Sequence, residues 1–142
     1  MIPLPENLSP EIKRQIKKSY NATIRVCGDS ETEYVHRKFP SFARRLDRTR
    51  GHKKSLVEAS KLLYKVYFGE RQLSRPLNSK TKKEVISALF YVVNPFDVIP
   101  DFTPGTGYID DCFVINLCLT KIKSSNPFLY RLAERRILGD SS

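Results

Sequence analysis

Aspartates are the residues whose type and spacing come nearest to a chemical site in this 142-residue chain. Four of them fall within 15 residues, between two apolar stretches. Carboxylate oxygens grouped in this way could hold a hard cation such as Mg²⁺ or Ca²⁺. They could equally cap turns and a helix start, where backbone N–H groups and the helix dipole favour an anion. We expect the capping role and no bound metal for these four residues, Asp97, Asp101, Asp110 and Asp111.

A second candidate surface is basic. Residues 36–55 contain eight Lys or Arg side chains and one acidic side chain. Arginine forks can bond two phosphate oxygens at once, and the interleaved rings of Phe39 and Phe42 suit stacking against bases. A further cluster on the outer face of the first predicted helix comprises Lys13, Arg14, Lys17 and Lys18. The candidate phosphate-binding residues are Arg37, Lys38, Arg44, Arg45, Arg48, Arg50, Lys53 and Lys54.

Charge is distributed unevenly along the chain, whose formal net charge is +10. Residues 1–75 are net +9, whereas residues 94–120 carry four Asp and no Lys or Arg. The basic half is therefore predicted to bind nucleic acid or an acidic protein partner. Three alternatives stay open: a solvated surface that maintains solubility, docking onto the acidic segment of the same chain, and attraction to an anionic membrane surface.

Residue types argue against most other kinds of site. The three cysteines form no C-x-x-C pair, and the two histidines lie in the basic stretch, so neither a zinc site nor a disulfide framework is expected. Cys112 and Cys118 lie on an apolar stretch and are predicted to be core thiols. No P-loop, Rossmann glycine pattern or H-E-x-x-H occurs. We expect no catalytic residue and no cofactor.

Cellular location is predicted from the same composition. The N-terminal residues resemble no secretory signal, and the unpaired cysteines suit a reducing compartment. The longest uncharged run, 12 residues over Val85–Phe96, is shorter than the roughly 20 that cross a bilayer. A cytoplasmic location is expected, with peripheral attachment to a membrane left open.

Capping residues and prolines predict where the helices that must position these residues begin and end. No segment alternates with the period of a strand, so the fold class is all-α, a single small domain of six or seven helices around an apolar hairpin. We predict that Pro40 ends the second helix and that Ser41 starts a short separate one. The predicted helix-opening residues are Ser9, Ser30, Ser55, Thr81 and Asn126.

Three parts of the domain follow from this pattern: a basic helical N-terminal half at 1–77, a hairpin with a Pro/Asp loop at 78–123, and a C-terminal amphipathic helix with a short tail at 124–142. In the last helix, Phe128, Leu129, Leu132 and Ile137 are predicted to face inward. The hairpin residues predicted to pack together and against Leu62, Leu63 and Val66 are Leu89, Phe90, Val93, Ile109, Phe113, Ile115 and Leu117.

The loop of the hairpin carries the pattern P-x-D-x-x-P-D-x-x-P-x-x-G-x-x-D-D, preceded by a tyrosine on an apolar helix. This pattern resembles the YkvA-like domain of unknown function of bacteria and archaea, over residues 78–123. Asn116, which interrupts the second apolar helix, departs from the family's usual sequence. The motif residues, predicted to be structural, are Tyr91, Pro95, Asp97, Pro100, Asp101, Pro104, Gly107, Asp110 and Asp111.

The resemblance implies little about activity, because the family has no agreed reaction, substrate or cofactor, and some relatives occur in or beside membrane proteins. We therefore predict a non-catalytic binding module that uses the basic N-terminal half. One alternative is a peripheral membrane protein whose apolar hairpin, residues 85–122, lies against lipid. Another is a metal-dependent phosphoester enzyme that uses the aspartate cluster.

Overall fold

A computed structural model describes residues 1–4, 8–69, 77–94 and 108–139, and within these ranges the chain forms six α-helices and no strand. The predicted all-α fold class is confirmed. The helices are α1 (Pro10–Val26), α2 (Asp29–Leu46), α3 (His52–Tyr67), α4 (Ser79–Val93), α5 (Ile109–Ser125) and α6 (Pro127–Ile137).

Two of the predicted helix caps are confirmed by their hydrogen bonds. The Ser9 hydroxyl accepts from the backbone N–H of Ile12 at 3.1 Å, and the Asn126 side chain accepts from that of Leu129 at 3.2 Å. Helix α4 begins earlier than expected, because the Asn78 side chain caps it by accepting from the Thr81 N–H at 2.7 Å. The prediction that Thr81 opens this helix was therefore wrong by three residues.

Helix α2 runs without a break through Pro40, contrary to the prediction that this residue ends it. A proline inside a helix leaves the carbonyl four residues earlier without its usual N–H donor. That carbonyl belongs to His36, and the Tyr64 hydroxyl of α3 donates to it at 3.5 Å. Ser41 consequently starts no helix, since a neighbouring helix compensates the missing bond and the core holds both sides of Pro40.

Two other predicted capping boxes are not used. Helix α2 begins at Asp29, where the Glu31 carboxylate accepts from the Gly28 N–H at 2.7 Å, so that Ser30 already lies inside the helix. Helix α3 begins at His52 after Gly51, whose φ of 67° suits a residue without a side chain. Ser55 instead lies within α3, where its hydroxyl contacts the carbonyl of Ile137 at 3.5 Å.

The core is centred on α4 and α5, which run antiparallel and are packed against by the other four helices. Leu89, Ile109 and Ile115 are buried as predicted. Four other hairpin residues lie only half-buried at the margin of the core: Phe90, Val93, Phe113 and Leu117. The prediction was wrong for these four, because the face of the hairpin that meets the centre is occupied instead by side chains such as Ala88 and the two predicted core thiols, Cys112 and Cys118.

The C-terminal helix meets its prediction in part. Leu129 is fully buried, and Leu132 and Ile137 pack against the core. Phe128, in the first turn of α6, is 52% exposed and does not face inward. Across the parts of the chain that the structure describes, no helix combines the length and apolar character needed to cross a membrane.

Asn116, the polar interruption in α5, has a specific partner. Its side-chain oxygen accepts from the Ile2 N–H at 2.8 Å, and its amide nitrogen donates to the Ile2 carbonyl at 2.9 Å. The Ile2 side chain is buried in the core beside this pair. Asn116 therefore attaches the N-terminal segment to the hairpin, because both polar groups of one backbone residue are satisfied by a single amide.

Candidate functional site

Asp110, Asp111 and the part of the basic stretch that follows residue 43 lie at one end of the helical bundle. There α2 and α4 end, while α3 and α5 begin. The rings of Phe42 and Tyr108 approach to 6.3 Å between centroids, and the Cys112 sulfur lies 3.6 Å from the carbonyl oxygen of His52. The start of α5, which carries Asp110 and Asp111, and the basic stretch are separate in the sequence but are therefore neighbours in the fold.

The basic side chains differ in how far they reach into solvent. Lys53 and Lys54 are half-buried in the first turn of α3. The remaining candidate phosphate-binding residues are all exposed, on α2 or on the turn that follows it: Arg37, Lys38, Arg44, Arg45, Arg48 and Arg50. Six solvated cations are thus presented by a helix and the short turn that joins it to α3.

The half-buried lysines are held by neutral groups. The Lys53 ammonium lies 5.8 Å from the centre of the Tyr108 ring, and that of Lys54 donates to the Asp47 carbonyl at 3.3 Å. The Asp47 carboxylate instead bonds Lys61, and this bond lowers the pKa of Asp47. The one acidic residue of the basic stretch is therefore engaged by a lysine outside that stretch.

The structure adds two cations that the sequence prediction missed. The contact of Ser55 with the Ile137 carbonyl brings the end of α6 beside the start of α3. Arg135 and Arg136 are exposed in the last turn of α6, so they extend the basic surface. We call this surface the basic corner; it comprises Arg44, Arg45, Arg48, Arg50, Lys53, Lys54, Arg135 and Arg136.

The aromatic residues of the basic stretch have a structural role. Phe39 and Phe42 are 3% and 1% exposed, so neither can stack on a base as their spacing suggested. The Phe39 ring stacks on that of Tyr64 with centroids 4.5 Å apart, and the Phe42 ring packs near Tyr108. These rings pack α2 against α3 and against the start of α5, and this packing fixes the position of the backbone that carries the cations.

The aspartates that follow the hairpin loop are buried. Asp110 and Asp111 are 1% and 2% exposed in the first turn of α5, where the helix dipole favours negative charge. The Tyr91 hydroxyl donates to Asp110 at 3.5 Å, which joins the end of α4 to the start of α5. The other motif residues lie outside the described ranges: Pro95, Asp97, Pro100, Asp101, Pro104 and Gly107.

Tyr108 precedes this turn with a left-handed backbone, φ 66°, which is uncommon for a residue with a side chain. This conformation is stabilised by the contacts of the Tyr108 ring with Phe42 and with Lys53. Tyr108 thus connects the two candidate surfaces directly: it leads into the buried aspartates and contacts the basic corner.

Neither Cys112 nor Cys118 is an activated thiol, and no metal-binding cluster is found among the described residues. Burial raises the pKa of the Cys118 thiol to about 12, and burial and the nearby aspartates also raise the pKa of Cys112. The predicted core role of both thiols agrees with their complete burial. Within the described ranges, no three His, Cys, Asp or Glu side chains are grouped closely enough to hold a metal ion.

Comparison with known proteins supports the resemblance seen in the motif. Residues 81–117 match the family described as "Protein of unknown function (DUF1232)". A 44-residue segment, 31% of this chain, is 46% identical to the "Uncharacterized membrane protein YkvA" of Bacillus subtilis (strain 168), and the match covers 42% of that protein. The chain therefore spans less than half of that relative. No solved structure matches significantly. The resemblance to a YkvA-like domain of unknown function is confirmed for this segment.

Proposed function

We propose that this protein is a non-catalytic binding module that holds the phosphates of nucleic acid on its basic corner. One observation carries the proposal: the exposed arginines on and after the end of α2 form no ion pair with any carboxylate that the structure describes. Their charges are consequently available to an outside anion, and arginine bonds phosphate oxygens in a fork geometry.

The supporting geometry is the rigidity beneath the cations. Buried rings anchor α2 on one side of the corner, and the packing of α3 against α6 anchors the other. A fixed array of cations loses little conformational freedom on binding, because only the side chains must become ordered. With Phe39 and Phe42 buried, the corner is suited to backbone phosphates and lacks base-stacking partners from its own sequence stretch.

Salt-dependent binding to a short DNA duplex tests the proposal. Replacing four arginines, Arg44, Arg45, Arg48 and Arg50, with glutamine should lower the salt slope of log K by about 0.9 for every phosphate that the variant no longer neutralises. The matched control replaces Lys13, Arg14, Lys17 and Lys18 on the exposed face of α1 with glutamine, which removes the same charge.

We expect the control variant to retain the wild-type slope and most of the affinity. Equal reductions in both variants would show that net charge alone attracts the duplex, and would contradict a site at the basic corner. Absence of wild-type binding at about 50 mM salt would overturn the proposal, because electrostatic binding is strongest at low salt.

A second candidate function is attachment to an anionic membrane surface. The name of the Bacillus subtilis relative favours it, and so does the position of Leu138, which is 77% exposed shortly after Arg136. An exposed leucine beside arginines suits the lipid–water interface. Membrane attachment through the apolar hairpin is not supported, because α4 and α5 form the centre of the core.

Vesicle sedimentation separates the two candidates. If the membrane function holds, vesicles containing phosphatidylserine should retain the protein, neutral phosphatidylcholine vesicles should not, and Leu138→Ser should weaken retention. A duplex-binding protein should keep nearly all of its affinity for DNA on the same substitution, since Leu138 offers no charge to phosphate.

A further inference from the structure

A second basic surface lies at the opposite end of the bundle from the basic corner. There the start of α4 meets the end of α5, and the hydroxyls of Thr81 and Ser125 are 3.4 Å apart. Five lysines project around this pair of hydroxyls, all of them exposed. We call this group the lysine end; it comprises Lys80, Lys82, Lys83, Lys121 and Lys123.

The position of three of these lysines is unfavourable for the helix that carries them. Lys80, Lys82 and Lys83 stand in or just beyond the first turn of α4, which contains no acidic residue. The positive end of the helix dipole repels cations there. Local helix stability therefore gives no reason for this cluster, and the unpaired N–H groups of the helix start add to its positive potential.

Acidic side chains are few around the lysine end: Glu84, next to Lys83, is buried, and Glu31 is close enough to act on the same thiol, Cys27, as Lys83 does. Residues 77–83 and 112–133 contain no Asp or Glu. None of the five lysines forms an ion pair within the described parts of the chain, and Lys123 is engaged by a neutral group, the Tyr130 ring, at 5.3 Å. The lysine end therefore carries an excess of exposed positive charge, which is complementary to a polyanion.

The two basic surfaces face away from each other. The hydroxyl of Tyr91 contacts Asp110 at the corner end of the hairpin, whereas Thr81 contacts Ser125 at the other end. Helix α4 has 15 residues, which corresponds to about 22 Å at 1.5 Å per residue. One flat membrane cannot touch both ends of such a bundle at once, but two separate duplexes can each occupy one end.

We propose that the lysine end is a second phosphate-binding surface and that one molecule bridges two nucleic-acid duplexes, one at each end. This inference rests on the proposed function, because it requires the basic corner to hold the first duplex. The shared ligand chemistry is the phosphate backbone, so the lysine end needs no base contacts and recognises no sequence.

A sandwich capture experiment with the full chain tests the bridge. A biotinylated duplex on beads is mixed with the protein and with a fluorescent duplex of unrelated sequence, and the captured fluorescence is measured. Replacing Lys80, Lys82 and Lys83 with glutamine should lower the affinity for the second duplex roughly 100-fold at 0.15 M salt, as expected from about 0.9 in salt slope for each phosphate no longer neutralised. Binding of a single duplex to the corner should be retained.

Two further variants make the result decisive. Lys121→Gln with Lys123→Gln changes the same end from another helix and should also reduce capture, while the α1 control variant should not. Circular dichroism checks that each variant is folded. Single-duplex binding without capture, or capture unaffected by both lysine variants, would overturn the bridge and leave the proposed function standing. Absence of any duplex binding would overturn both.

Discussion

Asp110 and Asp111 share one end of the bundle with the basic corner but differ from it completely in their access to water. Asp110 and Asp111 are almost fully buried, whereas Arg44, Arg45 and Arg48 are exposed. A buried ionised group needs partners inside the protein, while an exposed cation is solvated and remains available to a ligand. We therefore expect Asp110 and Asp111 to stabilise the hairpin, and the basic stretch is the better candidate for binding.

The largest expected change is a loss of stability, which tests whether the hairpin forms the core. Leu119→Ala removes a fully buried side chain of α5 and should lower the free energy of unfolding by about 2–5 kcal/mol. Leu138→Ala, the same change at an exposed position, should alter it by less than about 0.5 kcal/mol. Urea unfolding followed by circular dichroism measures both. Similarly small changes in the free energy of unfolding of the two variants would indicate that α5 is not central to the core. They would then favour the hypothesis that the hairpin contacts lipid.

The next effect tests the structural role of the aspartates. Asp110→Ala removes an acceptor of the Tyr91 hydroxyl and should cost about 1–3 kcal/mol of stability, because a buried donor is deprived of this bond. Tyr91→Phe removes the hydroxyl alone, and the double variant should reveal a coupling of at least about 0.5 kcal/mol. Thermal and urea unfolding measure stability, and duplex affinity of the folded variants should not change. Unchanged stability with abolished binding would assign the aspartate to the site.

Replacement of Asp47, the one acidic residue of the basic stretch, is expected to have a smaller effect, on duplex affinity. The Lys61 ammonium keeps the pKa of Asp47 below its usual value, so the carboxylate is ionised at neutral pH and opposes phosphate binding. Asp47→Asn should therefore raise duplex affinity, by about two- to fivefold at low salt. Glu58→Gln is the control, because Glu58 also approaches Lys61, at 3.7 Å, but lies farther along α3. Fluorescence anisotropy should detect a gain for Asp47→Asn; a decrease would contradict the basic corner.

No effect at all is expected from divalent metal. Mg²⁺ or Ca²⁺ should leave the melting temperature unchanged, whereas a specific ligand at 100 times its dissociation constant would stabilise by about 2.7 kcal/mol. Differential scanning fluorimetry with increasing metal measures this. A saturable rise that Asp110→Asn abolishes would make the metal-dependent phosphoester enzyme the leading interpretation.

Local sequence signals were sufficient where a helix end depends on adjacent residues. The caps at Ser9 and Asn126 and the end of α4 before Asn94 follow from side-chain hydrogen bonds and proline positions that short segments determine. The same reasoning failed at Pro40, because the hydroxyl near the orphaned carbonyl comes from Tyr64 on another helix. Tertiary contacts of this kind leave no trace in the spacing of α2 itself.

The charged surfaces were likewise predictable from the sequence only in part. The basic stretch at residues 36–55 is evident in the sequence, but Arg135 and Arg136 join it only because α6 packs along α3. The second half of the chain, residues 76–142, carries a net charge of only +1, which conceals the lysine end. Along this half of the chain, a group of lysines precedes the aspartates and another follows them. Because α4 and α5 pack antiparallel, Lys80 and Lys121 lie together at the end of the bundle opposite Asp110.

The sequence by itself determined the all-α class, the apolar hairpin and the motif, because helical period, capping residues and prolines act over a few residues. Only the tertiary structure decided that Phe39 and Phe42 are buried and that Asp110 and Asp111 are sequestered. Only the tertiary structure, likewise, placed two basic surfaces at opposite ends. The physical reason is that burial and surface charge depend on which helices pack together, and that packing joins residues far apart in the chain.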